Sequence, residues 1–139
     1  MPVGTVVLGQ NAIVHSGVTA TPADPVSHIE SYSRPVNRPI NTRQVFMIVN
    51  ALSFAGPREV TLTLTGLHSH LDTGQNNLRT GEINGTDVYV KLLPDGTNGI
   101  TAPYRVASRG LDASADAPTE VSFDLGLNGV EVVVGTGTI

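Results

Sequence analysis

Glu59-Val60-Thr61-Leu62-Thr63-Leu64-Thr65 alternates apolar and polar side chains without a break and stops at Gly66. Side chains on a strand point to opposite faces with period two, so this run sends Val60, Leu62 and Leu64 into a core and Thr61, Thr63 and Thr65 to the other face. It reads as a half-buried strand whose outer face of threonines suits either water or a neighbour laid over it. Residues 87–93 repeat the pattern with Val88, Val90 and Leu92, between the turn sequences Asn84-Gly85 and Pro94-Asp95-Gly96. Residues 119–127 place Val121, Phe123 and Leu125 inward. Asn128-Gly129 then supplies the pair that a type I′ turn requires, which predicts an antiparallel return over residues 130–134.

Further strands are expected over residues 5–8, 12–14 and 100–107. Residues 44–52 contain the nearly continuous apolar run Val45-Phe46-Met47-Ile48-Val49, the pattern of a central strand buried on both faces. Phe54-Ala55-Gly56-Pro57 should turn that strand back to pair with the opening one. Residues 67–79 and 111–118 read as loops. Residues 15–43 carry Pro22, Pro25, Pro35 and Pro39 among small polar residues, which interrupts ladders and helices alike. They are expected to form a long proline-punctuated extended arm or loop, lying over its own domain or reaching a neighbouring subunit. Seven or eight short strands, no amphipathic helix and no internal repeat predict one all-β domain over residues 1–139. The expected architecture is a single-domain β-sandwich, jelly-roll-like, with an irregular N-terminal arm; an open barrel is the near alternative.

The composition narrows the function. Only 14% of the 139 residues are charged, against ~25% in ordinary globular proteins, so the surface is easily covered by another protein. There is no cysteine, hence neither disulfide nor thiolate chemistry. The net charge is −4, and the basic residues, seven arginines and Lys91, form no cluster that would neutralise phosphates, so no nucleic acid partner is expected. No apolar run approaches the ~20 residues of a membrane-spanning helix, and the start lacks a signal-like segment, so no membrane partner is expected and synthesis in a host cytoplasm is.

Catalytic patterns are sparse. His68, His70 and Asp72 would share one face of an extended segment and make a plausible N/O metal set, although loop histidines are the simpler reading. Their His-x-His pair resembles that of the cupins, but Leu62 stands where the cupin glycine belongs and no glutamate follows. Asp72, Gly74 and Asn76 do not complete a calcium loop, because Asn77 occupies the glycine position and Ile83 the closing glutamate position. Asn84-Gly85-Thr86 fits a glycosylation sequon and reads more simply as a turn. Gly-x-Ser-x-Gly is absent, and Glu30, Glu59, Glu82, Glu120 and Glu131 are scattered. No enzyme activity and no cofactor are expected.

The few charges, the strand order, the segment 15–43 and residues 1–10 together resemble the virion proteins of phages, in particular the capsid cement or decoration proteins of tailed phages. The resemblance is one of style across the whole chain and rests on no specific motif. It implies a capsid-surface location in the virion, a dimeric or trimeric homo-oligomer, and a major capsid protein as partner. Arg34, Arg38 and Arg43, with Tyr32, are the interface candidates, because bidentate guanidinium contacts tolerate desolvation. A phage tail or baseplate structural protein is the alternative. A metal-binding β-barrel enzyme using His68 and His70 is the second alternative.

Overall fold

The computed structural model describes residues 9–47 and 49–136. The opening run forms β7 within the order β1 (Ile13–Gly17), β2 (Asp24–Pro25), β3 (Ile29–Ser33), β4 (Val36–Asn37), β5 (Ile40–Arg43), β6 (Leu52–Ala55), β7 (Glu59–Leu67), α1 (Thr73–Asn84), β8 (Asp87–Leu93), β9 (Gly99–Ser114), β10 (Ala117–Leu127) and β11 (Val132–Val134). Register lines up the inward residues of neighbouring strands. Leu62 and Leu64 lie opposite Leu125 and Phe123 of β10, while Val88, Val90 and Leu92 lie opposite Tyr104, Ala102 and Ile100 of β9. One apolar face therefore runs unbroken from strand to strand.

The main sheet runs in the order β2-β1-β8-β9-β10-β7-β3, antiparallel throughout, with β11 added beside β9 and β4 beside β7. Only residues 26–28 join β2 to β3, the two ends of that order, so the ends lie within ~14 Å of one another. Laid flat, seven strands at ~4.8 Å spacing would hold them ~29 Å apart. The sheet is therefore forced to curl on itself, and its inner faces share one core with Leu78 of α1 and Val26 of the connector. The expected class, an all-β fold in a single domain, is the one observed, built on one large antiparallel sheet.

Four local expectations are corrected. Residues 67–79 are a loop only over residues 68–72: β7 runs to Leu67, and α1 begins at Thr73. Asp72 caps that helix by accepting from the Gln75 N–H at 3.0 Å, and Gly85 ends it at φ 64, in the left-handed region. The helix lacks an apolar stripe because its buried residues are Gly74, Gln75, Leu78 and Gly81. Gly74 is required there, since a Cβ would stand 2.3 Å from the Pro25 carbonyl oxygen. Asp72 also accepts from the Ser27 N–H at 3.1 Å, tying the helix start to the β2–β3 connector. Asp72→Ala is expected to lower stability by about 2 kcal/mol in urea unfolding, through loss of the cap and of the Ser27 bond.

Residues 111–118 are not a loop, but the ends of a long β9–β10 hairpin turning at Ala115-Asp116. Their small exposed side chains leave no alternation to read. Asn128-Gly129 makes no type I′ hairpin: Gly129 has φ 154, and β11 pairs with Thr101, Ile100 and Gly99 of β9 rather than with β10. β11 thus takes up the edge of β9 that β10 leaves after Leu127. The fourth correction concerns residues 44–52, taken up below. The expected strand over residues 5–8 lies outside the described residues. Within the segment 15–43 the backbone is extended but organised, as β2 to β5 and the end of β1, with Pro35 and Pro39 between the short strands.

Candidate assembly interface

Residues 44–52 were expected in the middle of a sheet, paired with β7. Instead β5 and β6 pair, among the described residues, only with each other, from Ile40 opposite Ala55 to Arg43 opposite Leu52, and β7 is flanked by β10 on one side and by β3 and β4 on the other. Among the described residues neither β5 nor β6 packs substantially on any other element. The apolar run sits at the tip of this free-standing hairpin, where Phe46 and Met47 form a turn and are 95% and 101% exposed. Val45 and Val49 are exposed beside them, and Ile48 lies outside the described residues. Met47 has φ 67, a left-handed conformation that a long unbranched side chain rarely adopts. A continuous apolar run signals burial, but not which molecule does the burying.

The interface candidates divide into two kinds. Arg34 is ion-paired with Glu131, and Arg58 reaches the other oxygen of the same carboxylate. The Arg34 and Glu131 side chains are only 10% and 11% exposed, so this cluster ties the chain after β3 to the segment before β11. Tyr32 is half-buried against the core, and burial pushes its phenol up. Arg38 and Arg43 are exposed, at the base and on the outer end of β5, and neither side chain has a hydrogen-bond or ion-pair partner among the described residues.

The Arg34–Glu131–Arg58 cluster makes stability depend on pH. Burial alone would raise the Glu131 carboxyl, but the bonds from Arg58 and Arg34 outweigh it and hold the group below its ordinary value. A carboxyl depressed on folding stabilises fully above its unfolded value, ~4.3 for glutamate, and that contribution is lost as pH falls through the folded value. Asp95, held at about 2 by bonds from Asn98 and Thr97, acts in the same direction. Stability is thus expected to decline from about pH 5 to about pH 2. Glu131→Gln should cost about 3 kcal/mol at neutral pH, since it leaves two guanidiniums facing each other, and should flatten part of that decline in urea titrations.

The proposed metal residues are near one another without converging. The His68 and His70 rings are 6.2 Å apart, while the Asp72 carboxylate is engaged by the Gln75 and Ser27 N–H groups. Among the described residues no three His, Cys, Asp or Glu side chains come together as a ligand set. His68 instead lines a small depression with Arg79, Arg109 and Glu82, where the two guanidiniums would repel a cation.

Two further surfaces complete the picture. The outer face of β7, β10 and β9 carries the threonines of β7 beside Asp124, which accepts from the hydroxyls of Thr63 and Ser108, each at 3.0 Å. Between the free edge of β3 and the start of β1 lies a slot of about 550 Å³, lined by Ala12, Val14, Val26, Ile29, Tyr32 and Pro94, with Glu30 among its walls.

No protein-family model matches the chain, and no curated protein matches it. Solved structures do. A chain from the tail of the empty gene transfer agent particle, obtained by helical refinement with C6 symmetry, superposes with a TM-score of 0.78 at 12% identity, covering 94% of this chain and 100% of that one. A chain from the SPP1 tail tube gives 0.77 at 15% identity, over 94% of this chain and 80% of that one. One from the anti-feeding prophage baseplate gives 0.61 at 14% identity, over 96% and 98%. At such low identity the shared property is the fold, and this chain has the fold of these tail, tube and baseplate chains.

Proposed function

We propose that this chain is a structural virion subunit that assembles with copies of itself into a phage-type tail tube. The observation that carries the reading is the free-standing β5–β6 hairpin with Phe46 and Met47 almost wholly in solvent. A soluble monomer gains nothing from holding such an apolar tip away from its core, whereas a subunit gains a contact when a neighbour covers it. A tip on one part of the surface that fits a different part of the next copy makes a head-to-tail contact, which closes into rings or continues as a helix. The similar chains come from a tail with C6 symmetry, a tail tube and a baseplate, which supports the tail alternative over the capsid-surface location expected from the style of the sequence. That support is analogy of fold. On this reading the role is structural rather than catalytic, the partner is the chain itself in a ring rather than a dimer or trimer, and Arg38 and Arg43 flank the contact.

Purified protein, concentrated without any other component and imaged by electron microscopy, is expected to form rings or tubes. Protein that stays monomeric alone but binds preformed shells would overturn the tube reading in favour of a cement protein with a major capsid protein as partner.

A further inference from the structure

We propose that the slot between β3 and β1 is the acceptor for the hairpin tip of a second copy of this chain, guided by an ion pair between Arg43 of one copy and Glu30 of the other. The inference rests on the tube reading only in taking the partner to be another copy.

Four observations converge on it. The slot joins apolar side chains, Val14, Val26, Ile29 and Pro94, to the polar Glu30 and Ser31, and its 550 Å³ falls within the ~300–1,000 Å³ of clefts that take a compact, mainly apolar ligand with a few polar contacts. One wall is the edge of β3, which ends the strand order and among the described residues pairs only with β7, so its backbone groups can take up a further strand. The tip supplies apolar side chains on a two-stranded ribbon with no cover of its own. Finally, Glu30 at the slot and Arg43 on the hairpin are both exposed, and neither side chain has a partner among the described residues. Opposite charges beside an apolar contact set register and orientation more than affinity. Among the described residues the tip does not occupy the slot of its own chain, since no residue lining the slot belongs to the hairpin.

The competing occupant is the chain's own residues 1–8, because Gly9, the first described residue, lines the slot. The absence of native cysteine permits a direct test. Two single-cysteine variants, Arg43→Cys and Glu30→Cys, are mixed under mild oxidation. A heterodimeric disulfide is expected at least tenfold faster than for Arg43→Cys mixed with Thr61→Cys, a control on the outer sheet face. Glu30→Arg should reduce assembly at least tenfold, and adding Arg43→Glu to the same chain should restore it.

Tubes without the cross-link, or a charge reversal that the second change does not rescue, would overturn the slot assignment and leave the tube reading standing. The cross-link without tubes would do the reverse. Rapid closure of an intramolecular disulfide in Val6→Cys/Glu30→Cys, with no cross-link between copies, would assign the slot to the N-terminal segment instead.

Discussion

Phe46→Asp/Met47→Asp is expected to leave the folded monomer as stable as the parent and to abolish its assembly. Both side chains are almost fully exposed in the single chain, so their replacement removes no intramolecular packing, and such surface changes usually fall within about ±0.5 kcal/mol. Aspartate also tolerates the left-handed backbone at residue 47, φ 67, better than methionine does. In an assembly the same exchange forfeits about 1.5–3 kcal/mol for each large side chain no longer buried and places two carboxylates against an apolar wall. Every subunit contact carries that loss, so the polymer fails while the monomer persists. Unchanged melting together with loss of all rings or tubes in sedimentation velocity is the expected result. Tubes assembling at the parental concentration would show that the tip lies outside the interface.

Gln75→Leu should have the largest effect on the isolated fold, about 4 kcal/mol. Gln75 is fully buried, and its amide ties α1 to two separate segments: it donates to the carbonyls of Ser27 and Leu67, each at 2.9 Å, and accepts from the Ser69 N–H at 3.0 Å. Arg79 donates to the same oxygen at 3.2 Å. Leucine of similar volume fills the space but strands two carbonyls and one N–H in the interior, each at a cost of about 1–3 kcal/mol. Equilibrium unfolding in urea measures it; a loss below 1 kcal/mol would mean that water replaces the amide. Because α1 contributes only Leu78 as a large buried apolar residue, this side chain does more than hydrophobic burial to seat the helix on the sheet.

That helix shows why part of the fold escaped a reading of the sequence. Its start signal was present, Asp72 three residues ahead of Gln75, but a helix is recognised chiefly by an apolar stripe, and this one packs through two glycines, a glutamine and a single leucine. Gly74 and Gly81 let the backbone approach closely, an arrangement that period-based reading takes for a loop. Arg34 escaped for a related reason. It looked like a free anchor in an exposed segment, yet its partner Glu131 lies 97 residues away, and only the curl of the sheet brings them together. The tip of the β5–β6 hairpin was found as an apolar run and assigned to the wrong place.

The sequence by itself determined which residues of β7, β8 and β10 face inward, because alternation is a property of the extended backbone and is written within seven residues. It also determined that the surface would be poor in charge and that the chain has no cysteine to staple it. Tertiary structure alone decided what those inward faces meet, that β11 lies beside β9 rather than β10, and that Val45, Phe46, Met47 and Val49 point away from the core. Strand partners and the cover of an apolar run depend on surfaces distant in sequence, and no local period encodes them.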